Sequence, residues 1–196
     1  MIDVKEITRL HQTMVQRWHT QTLDTPYEGF LNLVCRQHEQ NFRLWHQEDI
    51  ARSPEVGDAE IAAVKRRIDK LNQQRNDYIE QLDDALLDRL ATAGVVPERR
   101  ARLNSETPGS IIDRLSILSL RIYHMEEQAA RDDVDDEHRR KATAKLAIMY
   151  EQRTDLATSL EQLLGDLAAG QKRLKVYRQF KMYNDPSLNP YLYRAQ

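Results

Sequence analysis

The chain has one cysteine, Cys35. No disulfide can form within it, and a lone thiol fits a reducing compartment. Glycine and proline are scarce, at six each. That leaves little material for the turns that many short strands require. No apolar run approaches the roughly 18 residues that a membrane span needs. The opening Met-Ile-Asp-Val-Lys-Glu is charged and helical in character, unlike a secretory signal. By exclusion, a cytoplasmic protein is expected. An excess of one charge is missing too. Twenty-nine Lys and Arg against 31 Asp and Glu leave a net charge of −2, so no global basic field points to nucleic acid. There is no Gly-rich phosphate loop, no Gly-x-Ser-x-Gly elbow and no Cys-x-x-Cys pair.

What the sequence does contain is helical periodicity. At 196 residues the length is in the range of one domain, expected to span 1–196, with a substantial core. Val4, Ile7, His11, Met14 and Trp18 predict a first helix from about Asp3 to Thr20. Thr25-Pro26-Tyr27-Glu28 reads as a capping box with proline at the first helical position, opening a second helix that ends near Arg52. A third helix is expected from Asp58 to about Leu90, broken by Ala93-Gly94-Val95-Val96-Pro97. Thr107-Pro108 opens a fourth, apolar on most of its surface and therefore central. The acidic run 132–136 caps a fifth that reaches about Ala169. A short sixth is expected from Gln171 to about Tyr183, its aromatics docking it onto the bundle, and then an extended tail through Pro186 and Pro190. The expected fold is all-α: an antiparallel bundle of about five long helices, a short C-terminal helix and a tail.

Polar residues on buried faces are the functional candidates. On the second helix His38, Asn41, Trp45 and Asp49 share one wedge at 100° per residue, with His46 and Glu48 on its flanks. On the third, Asp69, Asn72, Asn76, Glu80 and Asp83 form a polar ribbon, and Arg75 interrupts the apolar stripe. A buried His or Asn without a partner costs roughly 1–3 kcal/mol. These groups are expected to find partners, and a purely structural hydrogen-bond network is one account of them. The other account is a pocket. Carboxylates suit a hard cation, magnesium or manganese, with Asp49, Glu80 and Asp83 as ligands. Arg75 suits a phosphate. Asn41, Trp45, Asn72 and Asn76 would complete a ligand site, and His38 or His46 would act as base. A transition-metal reading through His11, His38 and His124 is set aside, because the Glu-x-x-His pairs of carboxylate-bridged di-iron bundles are lacking.

Two stretches, His38-Glu-Gln-Asn-Phe-Arg-Leu-Trp-His-Gln-Glu-Asp-Ile-Ala-Arg52 and Lys65-Arg-Arg-Ile-Asp-Lys-Leu-Asn-Gln-Gln-Arg-Asn-Asp-Tyr-Ile-Glu80, resemble the signature of a bacterial family catalogued as domain of unknown function number four-two-five-four. The resemblance continues through Ile112-Asp-Arg-Leu-Ser-Ile-Leu118 and Phe180-Lys-Met-Tyr-Asn-Asp-Pro186. It implies a bacterial source, sometimes a gene near glycosyltransferases of surface polysaccharide synthesis, and no assigned activity or catalytic residue. Two functions therefore stand. One is binding or hydrolysis of a small phosphorylated metabolite, a nucleotide or sugar phosphate, with a divalent cation. The other is a non-catalytic helical interaction protein that self-associates, for instance as a homodimer.

Overall fold

A computed structural model describes residues 2–182 and 185–194. The helices are α1 (Val4–Thr20), α2 (Gly29–Arg52), α3 (Asp58–Thr92), α4 (Pro108–Ala130), α5 (Asp136–Ala168) and the four-residue α6 (Pro190–Tyr193). Two-residue strands β1 (Arg102–Leu103) and β2 (Lys172–Arg173) pair in parallel. The fold is all-α, as the periodicity predicts.

Local chemistry accounts for most boundaries. Asp3 caps α1 by accepting from Lys5 N at 2.8 Å, Thr107 caps α4 ahead of Pro108, and Asp135 accepts from His138 N to cap α5. Gly94 at φ 68° and Gly170 at φ 73° take the left-handed turns that end α3 and α5.

Two expectations fail. The capping box at Thr25 does not form, and α2 opens at Gly29, where φ is 56°. Residues 21–28 are held off the helix by tertiary bonds. Trp18 Nε1 donates to the Asp24 carbonyl, Arg17 pairs with the Asp24 carboxylate, and Asn32 donates to the Tyr27 carbonyl. The expected helix at Gln171 is absent as well. There β2 pairs with β1, and Arg173 donates to the Ala101 carbonyl. Arg178 then bridges Glu80 and Asp84 on α3. The segment is a strap along α3, and its aromatics face water: Tyr177 is 50% and Phe180 81% exposed. Tyr183 and Asn184, where that helix was to end and the tail to begin, lie outside the described residues. The tail is not wholly extended, since Pro190 starts α6.

The α2–α3 and α4–α5 pairs each pack along their length, joined by short connections, and α4 touches α1, α2, α3 and α5. The main core gathers Ile7, Leu10, Met14, Val34, Leu82, Ile112, Leu115 and Leu160. A smaller one, Leu44, Val64 and Ile68, closes the far end of the α2–α3 pair. Among the described residues no helix is long and apolar enough to cross a membrane.

Candidate functional site

The central position of α4 makes its polar residues matter. Asp113, Ser116 and Ser119 are buried on a helix whose other buried positions are apolar. Asp113 Oδ1 accepts from Gln37 Nε2 at 2.6 Å, Asn41 Nδ2 at 2.9 Å and Arg75 Nε at 2.8 Å. Arg75 Nη2 donates to Asp113 Oδ2 at 2.5 Å, which completes a two-pronged ion pair. Asn41 Nδ2 also donates to Ser116 Oγ at 2.9 Å.

The chain of bonds continues into the core. His38 Nε2 lies 3.1 Å from the His11 carbonyl oxygen, which can only accept, so the ring proton is on Nε2. His38 Nδ1 then accepts from Ser116 Oγ at 2.7 Å. Burial pushes the His38 imidazole down to about 3, which keeps it neutral. His11, whose ring centre lies 4.7 Å from that of His38 with the planes tilted by 44°, is held below the ordinary range by the same burial, and both its ring nitrogens are unpartnered among the described residues.

The outer face of this network opens on a cleft of about 440 Å³ between α2, α3 and α4. Asn41, Trp45 and Asp49 line it from α2, and Asn72 and Arg75 from α3. These are five of the residues expected at the site. They are joined by Glu48 and Arg52, which pair at 3.0 Å, and by Arg121 of α4. Arg121 has no ion pair or hydrogen bond among the described residues. The Asp113 hydrogen bond raises the pKa of Arg75 and fixes its guanidinium, leaving Nη1 only a long 3.5 Å contact with Asn72 Oδ1.

The remaining expected residues lie elsewhere. His38 is fully buried, with both nitrogens engaged, and does not line the cleft. His46 borders a different groove, between α2 and α3. Asn76 is half-buried and outside the cleft lining.

The carboxylates expected around a cation are not brought together. Asp49 is exposed at the cleft. Glu80 accepts from Arg178 and from Gln179 N. Asp83 is buried, and its Oδ1 takes the Gly109 N–H at 2.7 Å at the start of α4. Burial pushes the Asp83 carboxyl up to about 6. Among the described residues, no three His, Cys, Asp or Glu side chains stand ready to hold a metal ion.

Sequence reasoning missed Asp113, Ser116, Gln37 and Arg121. The signal was present: a carboxylate and two serines within the run Ile111–Leu120, where apolar residues fill most positions.

No curated protein and no solved structure matches the chain. A family model described as "Protein of unknown function (DUF4254)" matches residues 31–176. The motif at Phe180–Pro186 lies beyond the matched residues. The match takes in all of α3, α4 and α5 and nearly all of α2, so every residue of the Asp113 network except His11 falls within it. The chain belongs to the family of proteins of unknown function DUF4254.

Proposed function

We propose that the chain binds a small phosphorylated metabolite with a sugar-like body in the α2–α3–α4 cleft. The observation that carries this reading is the pair of guanidinium groups on the cleft. Arg75 is held rigid by Asp113, and Arg121 has no partner of its own among the described residues. Guanidinium forks match phosphate oxygens, and a fixed fork loses less freedom when it binds. Asn41, Asn72, Glu48 and Asp49 supply donors and acceptors for hydroxyl groups, and Trp45 supplies an apolar wall. A magnesium or manganese ion would sit between Asp49 and the ligand's phosphate, since magnesium commonly uses one or two carboxylates plus substrate oxygens. Hydrolysis would have to draw its base from Glu48 or Asp49, because His38 is sequestered in the core.

Thermal melting of the full chain against panels of hexose phosphates, nucleoside phosphates and inorganic phosphate, with and without magnesium, tests the reading. A rise in melting temperature confined to phosphorylated sugars or nucleotides is expected. No shift with any of them at millimolar concentration would overturn it.

Self-association is the second reading. It is favoured by the apolar residues left exposed on the C-terminal segment, Phe180, Met182, Leu188, Tyr191 and Tyr193. Sedimentation of the full chain and of a form ending at Val176 separates the two. A dimer that becomes a monomer on truncation supports self-association, and a monomer in both cases removes it.

A further inference from the structure

The exposed edge of α4 carries the cleft into a second space. Ile117 and Arg121, one helical turn apart, line the α2–α3–α4 cleft and also a groove of about 700 Å³ between α4 and α5. At about 100° per residue the two stand between Leu120, which lines the cleft, and Arg114 and Leu118, which line the groove. They are the border that both spaces share. Ile117 is half-buried and Arg121 exposed.

Positive charge is free at this border and not beyond it. Arg121 bonds to nothing else among the described residues, and Arg75 offers its fixed guanidinium on the cleft side. Two guanidinium groups suit two phosphate charges. The other cation of the groove, Arg114, is taken by Glu106, with Nη1 at 2.8 and 3.0 Å from the two carboxylate oxygens. From α5 the groove has Gln152, Asp155 and Ser159, all exposed and without a side-chain partner among the described residues. Leu118 and Leu156 supply an apolar wall. An amide, a carboxylate and a hydroxyl beside such a wall suit an uncharged body rich in hydroxyl groups, and not a further phosphate.

We infer, resting on the reading that the cleft binds a phosphorylated ligand, that this ligand is a diphosphate diester that crosses the edge of α4 at Arg121. One end lies in the cleft against Trp45 and the other in the α4–α5 groove. Its two charges, one on each phosphorus, meet Arg75 and Arg121. Sites for small ligands run from about 300 to 1,000 Å³. At about 440 and about 700 Å³ each space reaches that range by itself, so each has room for a sugar or a nucleoside. A phosphate monoester would occupy the cleft and leave the groove unused.

The test is calorimetric titration of the full chain, in magnesium, with diphosphate diesters that differ in base and sugar: UDP-glucose, ADP-glucose and GDP-mannose. The matching hexose 1-phosphates and nucleoside monophosphates are the comparison. At least one diester should bind about tenfold or more tightly than either of its halves, the factor that one added charge-assisted contact supplies. Ser159→Trp places an indole in the groove. It should erase that advantage and leave the affinity for the hexose phosphate unchanged. Ser159 is exposed on α5, so the variant should fold, and circular dichroism checks this. Monoesters that bind as tightly as every diester, or an advantage that survives Ser159→Trp, overturn the two-ended ligand and leave the cleft reading standing. No heat with any phosphate ester overturns both.

Discussion

Arg75 grips Asp113 with two parallel hydrogen bonds, Nε to Oδ1 at 2.8 Å and Nη2 to Oδ2 at 2.5 Å, and so ties α3 to α4. The same carboxylate takes Gln37 and Asn41 from α2. One side chain thus registers three helices and sets the inner wall of the cleft. Asp113→Asn removes the charge and leaves the guanidinium facing a neutral amide. The account expects a loss of roughly 3 kcal/mol, the low end for breaking a buried pair because Arg75 is partly exposed. Urea unfolding measures it. A loss under about 1 kcal/mol would show that the pair does not organise the bundle.

His38 should not titrate in the physiological range. Its pKa is driven down to about 3 by burial, and the His11 carbonyl fixes the proton on Nε2. Nitrogen-15 NMR should show a neutral Nε2–H ring from pH 8 down to about pH 4. A midpoint near 6.5 would mean that water reaches the ring and that the Ser116–His38 connection is not closed.

Asp83 gives a pH dependence of opposite sense to an ordinary ion-paired carboxylate. Burial raises it to about 6 in the folded chain, against about 3.9 unfolded. Between those values the folded state binds more protons, so this group's contribution to stability falls as pH rises from about 4 through 6 and is flat outside that window. The size is at most roughly 3 kcal/mol. Asp83→Asn keeps an acceptor for the Gly109 N–H. It should remove that slope and leave stability at pH 7 unchanged or higher. A variant with the parent's slope contradicts the assignment.

Gly109 allows this contact. A Cβ there would stand 2.6 Å from the Ile79 carbonyl oxygen and 2.9 Å from Asp83 Oδ1. Gly109→Ala should cost at least about 2 kcal/mol through displaced backbone. Gly165→Ala, with nothing within 4 Å of the added carbon, should gain about 0.5–1 kcal/mol from helix propensity. Thermal melts of the two variants that move in the same direction would refute the packing described.

Helices were legible because apolar spacing, caps and the proline after Thr107 act locally. The start of α2 was not, because Asp24 is held by Arg17 and Trp18 of another helix, and no cap chemistry reveals that. The strap after Gly170 has the composition of a helix, yet pairing with β1 and capture of Arg178 by Glu80 and Asp84 decide its path. At the site, Asn41, Trp45, Asp49, Asn72 and Arg75 were legible from their faces on α2 and α3, and all five line the cleft. Glu80 and Asp83 continue the polar ribbon of Asn72 but lie further along α3, where the strap and the start of α4 use them. Asp113, the partner that Asn41 and Arg75 share, left a signal in the run Ile111–Leu120, but only the tertiary contact distinguishes it from a carboxylate on the solvent face of α4.

The central claim is that the cleft beside Arg75 and Arg121 takes a phosphorylated ligand. Calorimetric titration of hexose phosphates into the full chain and its Arg121→Ala variant, each in magnesium and in chelator, tests it most directly. Arg121 is exposed and bonds to nothing else among the described residues, so its loss should spare the fold. The account predicts binding to the parent that weakens about tenfold or more in the variant, since a charge-assisted contact is worth about 1.5–3 kcal/mol, and that the unphosphorylated sugar does not reproduce. Equal affinity in parent and variant, or no heat with either, would contradict it.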